Sequence, residues 1–165
     1  IVKNHGGAIS VESEAGKGTV FTIHFPLIEA GGEDEEQKVE PFPAGRGSIL
    51  LVDDEEPLAS LGREMLVSLG YDVTVRVSSP DALEAFRANP DRFDLVITDM
   101  TMPNMTGDLL ALEILKIRPG LPVILTTGFS EKISEEEAKR IGIRVFVLKP
   151  ISIKALARAV QEALQ

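Results

Sequence analysis

Leu95-Val96-Ile97-Thr98-Asp99-Met100-Thr101-Met102-Pro103 is a short apolar run that stops at an aspartate, with a proline four residues further on. A run this short, rich in β-branched residues and without polar alternation, reads as a strand buried on both faces of a parallel sheet. The same form recurs on either side of it. Ile49–Val52 runs into Asp53-Asp54, Val123–Thr126 into Thr127-Gly128, and Val145–Leu148 into Lys149-Pro150, with a further run at Val73–Val77. Between these runs the apolar residues take helical spacing. The stretches are Leu58, Leu61, Met65, Leu66 and Leu69; Ala82, Leu83 and Phe86; Leu109, Leu112, Ile114 and Leu115; Ile133, Ala138 and Ile141; and Leu156, Val160 and Leu164. Gly70 and Gly142 sit where helix C-caps belong. Five strands alternating with five helices predict an α/β fold, a doubly wound five-stranded parallel sheet covered on both faces. Right-handed crossovers and strand order 2-1-3-4-5 follow, with the ligand site at the carboxyl ends of the strands.

Upstream of this pattern the sequence changes character. Within residues 1–28, Ile9 and Val11 alternate with polar neighbours, as do Phe21, Ile23 and Phe25, around Gly16-Lys17-Gly18. This predicts a β-hairpin, which buries too little surface to fold alone and reads as the remnant of another domain. Residues 29–46 are acidic and rich in glycine and proline, and predict a flexible linker to a domain at 47–165. The sequence opens at Ile1 in mid-pattern and reads as a piece of a longer protein.

Composition removes several function classes. The 165 residues are 44% hydrophobic and contain no cysteine, which excludes disulfide frameworks and thiolate metal sites. A net charge of −9, acidic in both parts, argues against a nucleic-acid reader. No apolar stretch is long enough to span a membrane, so the chain is expected to be cytoplasmic and without membrane contact, whatever anchors its parent.

In the 2-1-3-4-5 order, Asp53, Asp54, Asp99, a threonine and Lys149 meet in one crevice. Three carboxylates placed together repel one another and invite a divalent cation, and an all-oxygen donor set favours Mg²⁺. A carboxylate left free beside that cation is a nucleophile toward phosphorus, with Lys149 and a threonine hydroxyl neutralising phosphoryl oxygens. Alternation lets only one of Thr126 and Thr127 face the crevice, and the following Gly128 selects Thr127. Each aspartate alone reads as a helix cap. Four motifs in register read as a site.

Those motifs are Asp53-Asp54, Asp99-Met-Thr-Met-Pro103 with Gly107, Thr127-Gly128 and Lys149-Pro150. Residues 47–165 resemble a response-regulator receiver domain, CheY-like and flavodoxin-like in fold. The resemblance implies Asp99 as phosphoacceptor, and Asp53, Asp54, Asp99 and the main-chain carbonyl of Thr101 as ligands of a Mg²⁺ cofactor. It further implies Lys149 on the phosphoryl group, Thr127 and Phe146 as the switch pair, and a cis bond before Pro150. Two residues depart from the family pattern: Phe146 lacks a tyrosine hydroxyl, and Ile151 stands where phenylalanine is usual.

Residues 1–28, through His5-Gly6-Gly7 and Gly16-Lys-Gly18-Thr19, resemble the end of a histidine-kinase ATP-binding domain. Gly16, Gly18 and Thr19 would be its last glycine box, not functional alone. A kinase tail, a linker and a receiver follow the order of a bacterial hybrid sensor histidine kinase. The chain lacks the kinase core and is expected to have no ATP-dependent activity. The expected partner is a histidine kinase or histidine phosphotransfer protein in a two-component phosphorelay, and the expected state a monomer or weak dimer. Two other readings remain. A phosphatase or hydrolase using an aspartyl phosphate would prefer its nucleophile on the first strand and a cap insertion. A degenerate receiver serving only protein interaction would lack residues that are present here.

Overall fold

The computed structural model describes residues 2–26, 45–128 and 140–165. The chain divides into two compact units, within Ile1–Glu40 and within Pro41–Gln165. In the first, a 3₁₀ turn at Val2–His5 precedes a hairpin of β1 (Ala8–Glu14) and β2 (Gly18–His24), as the alternation predicts. The strands are antiparallel, with Ile9 opposite Ile23 and Val11 opposite Phe21. Paired residues share a face, so these four apolar side chains form one stripe, and all four are exposed. Gly16 and Gly18 carry φ of +79° and +99°. A Cβ at either would meet nothing within 4 Å, so the turn's backbone conformation, and no close approach, calls for glycine there.

The second unit is an α/β domain of the flavodoxin-like kind, a five-stranded parallel sheet with helices on both faces. Its strands are β3 (Ser48–Val52), β4 (Asp72–Arg76), β5 (Leu95–Asp99), β6 (Val123–Thr127) and β7 (Val145–Leu148), in spatial order β4-β3-β5-β6-β7. Counted within this domain, that is the predicted 2-1-3-4-5. Its helices are α1 (Glu56–Ser68), α2 (Ser79–Ala88), α3 (Gly107–Ile117) and α4 (Ile153–Ala163). The expectation of five helices is thereby corrected: the described residues contain four. The remaining expected helix rested on Ile133, Ala138 and Ile141, three apolar residues spread over nine positions. Of these, only Ile141 lies within the described residues.

Alternation along each strand builds two cores. Leu50, Val52, Val96, Val123 and Leu125 pack with Phe86 and Phe93, and with Leu110 and Ile114 of α3, on one face. Ile49, Leu51, Leu95, Ile97 and Ile124 pack with Leu66 of α1 and with Leu156 and Val160 of α4 on the other. The helices begin where local chemistry satisfies their first N–H groups. The hydroxyl of Ser78 accepts from the Asp81 N–H at 3.5 Å, and that of Ser152 from the Ala155 N–H at 3.2 Å. Pro57 and Pro80 lie in first turns, where no N–H is needed. α1 stops at Leu69, where Gly70 at φ +94° takes the left-handed position and releases the chain into β4.

Candidate functional site

The register of the sheet sets the site. β3 pairs with β5 up to Val52 opposite Thr98, so the next residues, Asp53 and Asp99, project from adjacent strand ends on the same side. β5 pairs with β6 so that Asp99 lies opposite Thr126, and β6 with β7 so that Thr126 lies opposite Val147. Lys149, two residues beyond Val147, therefore returns to that side. Backbone hydrogen bonds extend the ladder past the strands: the Asp53 N–H donates to the Arg76 carbonyl at 3.2 Å and the Lys149 N–H to the Thr127 carbonyl at 2.9 Å. The Lys149–Pro150 bond is cis.

Asp53 and Asp99 are buried, each 6% exposed, and the Lys149 ammonium lies between them. It donates to Asp99 Oδ1 at 2.6 Å and to Asp53 Oδ2 at 3.0 Å. Burial pulls the lysine's pKa down, but hydrogen bonds and Coulomb attraction to Asp99 and Asp53 outweigh it and hold the pKa above its ordinary value. Every carboxylate oxygen of the pair is engaged. Asp53 Oδ1 accepts from the Glu55 N–H at 3.0 Å and Asp99 Oδ2 from the Thr101 N–H at 3.1 Å. Asp99 Oδ1 also accepts from the Thr126 hydroxyl at 3.2 Å.

The loop after β5 folds back against its own strand. The Met100 N–H donates to the Thr126 carbonyl and the Gly107 N–H to the Met100 carbonyl, at 2.8 and 2.9 Å. A Cβ on Gly107 would collide with the Asp99 carbonyl, so only glycine lets α3 start this close to the aspartate.

The structure thus brings together Asp53, Asp99 and Lys149. Asp54 stands beside them, half-buried. Thr127 lies on the opposite side of β6 from Asp99, and its hydroxyl donates to the Gly128 carbonyl at 3.2 Å. Thr126, the residue set aside in favour of Thr127, is the one whose hydroxyl hydrogen-bonds Asp99. Its signal was the pairing of Asp99 with Thr126, which needs the register between strands as well as the alternation within one. Phe146 is half-buried against the α2 and α3 core. In the other unit, the Thr19 hydroxyl is 2.8 Å from that of Ser13, a cross-strand pair.

Residues 49–161 match the family model of the response regulator receiver domain. The chain belongs to that family. Sensor kinase CckA of Brucella abortus (strain 2308) is 36% identical over 174 aligned positions, covering all of this chain and 18% of its own length. Aerobic respiration control sensor protein ArcB of Escherichia coli (strain K12) is 34% identical over 167 positions, 98% of this chain and 21% of its own. The receiver chain therefore spans only 18% and 21% of the length of these curated relatives. Solved receivers share its fold. A response regulator receiver domain protein from Clostridium thermocellum is 32% identical with a TM-score of 0.68, over 71% of this chain and 93% of that one. A CheY-like receiver domain protein from Methanospirillum hungatei JF-1 is 27% identical with a TM-score of 0.66, over 73% and 94%.

Receivers generally use Mg²⁺. Among the described residues no three acidic or histidine side chains converge as a ready metal cluster. The donor chemistry nonetheless fits a hard cation: two buried carboxylates already share one positive charge, that of Lys149, and their electron-pair donors are oxygens. No helix among the described residues is long and apolar enough to cross a membrane.

Proposed function

We propose that this receiver accepts a phosphoryl group on Asp99 from a phosphohistidine, within the phosphorelay of a hybrid sensor histidine kinase. The single observation that carries this reading is the buried Asp99 carboxylate at a strand end, with the Lys149 ammonium 2.6 Å from its Oδ1. In the transfer, an Asp99 oxygen bonds to phosphorus as the phosphorus–nitrogen bond to the donor imidazole breaks, its electron pair returning to the ring. The reaction needs alignment and charge neutralisation more than any further covalent help. The hydrogen bond from the Thr101 N–H orients the nucleophile before the donor arrives. Lys149 follows the charge from the carboxylate to the phosphoryl oxygens, and Thr127 would have to leave the Gly128 carbonyl and turn toward those oxygens to take the role its motif implies. Asp53, Asp54, Asp99 and the Thr101 carbonyl would hold Mg²⁺, which when bound would supply the remaining charge neutralisation. Phe146 follows the Thr127 side chain as the second half of the switch.

Residues 1–28 are read as the end of a kinase ATP-binding domain, 29–46 as the linker and 47–165 as the receiver. Sensor kinase CckA, which aligns with all of this chain, and the sensor protein ArcB, which aligns with 98% of it, support that order. Gly16, Gly18 and Thr19 then belong to the last glycine box of that domain's nucleotide site. A histidine phosphotransfer protein or kinase histidine is the partner.

Acetyl phosphate with Mg²⁺, followed by intact-mass measurement, tests the reading. Wild type is expected to gain one acid-labile phosphate and Asp99→Asn, nearly isosteric and folded, none. A labelled Asn variant overturns the assignment.

A further inference from the structure

Thr126 is 4% exposed, and its single hydroxyl proton has two acceptors in reach: Asp99 Oδ1 at 3.2 Å and the Thr98 carbonyl at 3.5 Å. The carboxylate oxygen is charged and the nearer of the two, so it takes the proton in the unphosphorylated protein. Acylation changes this ranking. Once phosphorylated, Asp99 carries no carboxylate charge, its oxygens become weaker acceptors, and the hydroxyl has the Thr98 carbonyl as an alternative. A donor that favours the free acceptor over the phosphorylated one acts on the position of the phosphotransfer equilibrium.

From this we infer that Thr126 is a positioning residue for phosphotransfer, its hydroxyl restraining Asp99 in the unphosphorylated state and easing departure of the phosphoryl group. The inference rests on Asp99 being the acceptor. The direction of the effect follows from what remains without the hydroxyl. The Thr101 N–H on Oδ2 and the Lys149 ammonium on Oδ1 still hold the carboxylate in place, so orientation survives. What is lost is stabilisation of the negative charge, and the carboxylate becomes the stronger nucleophile. In phosphorylation by acetyl phosphate, an Asp99 oxygen bonds to phosphorus while the bond to the acetate oxygen breaks and acetate leaves with the electron pair. The carboxylate charge falls along that path, so the hydroxyl holds back the start more than the transition state. In hydrolysis water bonds to phosphorus and the Asp99 carboxylate leaves, so its charge grows and the hydroxyl helps.

At 3.2 Å the contact is long for a hydroxyl on a carboxylate, so it falls at the weak end for bonds to charged groups, roughly a tenfold preference for the free carboxylate. That preference divides between the two rates, about threefold each.

The test uses the full chain with Mg²⁺ held constant and follows both phosphorylation by acetyl phosphate and decay after its removal. Thr126→Val keeps the shape and the packing and removes the donor. It is expected to phosphorylate about threefold faster and to decay about threefold more slowly. Thr126→Ser restores the hydroxyl and is expected to restore wild-type rates, which loss of packing would not do. Slower labelling or faster decay in the valine variant, unchanged rates, or a serine variant that behaves like valine each overturn the inference. If wild type itself takes no phosphate, the acceptor assignment fails instead, a result distinguishable from all of these.

Discussion

The Lys149 ammonium donates to Asp99 at 2.6 Å and to Asp53 at 3.0 Å, and its removal would leave two buried carboxylates facing each other. Removing one partner from a fully buried ion pair costs about 3–5 kcal/mol. The Lys149 side chain is 22% exposed, so water screens part of that penalty, and Lys149→Met is expected to lose about 1–2 kcal/mol of stability without metal. Mg²⁺ at millimolar concentration is expected to recover part of the loss, because a second cation then serves the same oxygens. Urea unfolding with and without Mg²⁺ measures both. The same contacts fix the pH range of the effect. The folded pKa of Lys149 is raised, so its contribution is fully present below the unfolded value of about 10.4 and disappears as pH rises through the folded one. Wild type should weaken relative to Lys149→Met only at strongly alkaline pH. A difference that vanishes near neutrality would contradict the ion-pair account. These site residues were legible in the sequence because each ends an apolar run, and strand ends are where a parallel sheet presents side chains to a ligand. Thr126 was not legible, because the residue that faces Asp99 is chosen by pairing between strands 27 positions apart.

At the scale of elements, strands were easier to place than the turns between them. Five apolar runs became five strands with ends displaced by a residue or so, since burial on both faces leaves little choice of conformation. The helices that carried strong spacing, such as the one through Leu58, Met65 and Leu66, formed as read. The 3₁₀ turns at Val2–His5 and Pro90–Arg92 had no such signal, for they bury no periodic face. Gly107 illustrates a constraint visible only in three dimensions. In the sequence it enters only as a companion of the Asp99–Pro103 motif, yet its absent Cβ is what brings the first turn of α3 against the Asp99 carbonyl. Gly107→Ala must push backbone against backbone. A loss of about 1–3 kcal/mol is expected, with slower labelling of Asp99 because the loop bearing Thr101 shifts. Thermal unfolding and acetyl phosphate kinetics check this, and an alanine variant as stable and as reactive as wild type would refute the close approach.

For the molecule as a whole, the two units differ in how completely they cover their apolar residues. The receiver gathers its largest buried side chains in two cores, one on each side of the sheet, and leaves others such as Leu61, Leu109 and Leu148 singly exposed on separate elements. The hairpin leaves Ile9, Val11, Phe21 and Ile23 on a single face, between 49% and 67% exposed. That contrast follows from layering: two strands cannot supply a second layer by themselves, and the alternation in the sequence already marks which side wants one. The acidic net charge of −9 opposes contact between copies at long range, but salt screens it. The hairpin stripe then behaves as an adhesive whose strength depends on ionic strength. The sedimentation coefficient of the full chain is expected to rise with protein concentration, and more steeply in 0.5 M salt than in about 0.05 M, where repulsion reaches further. A chain of residues 47–165 should sediment at one value throughout. Equal concentration dependence for the two would place the adhesive surface on the receiver instead.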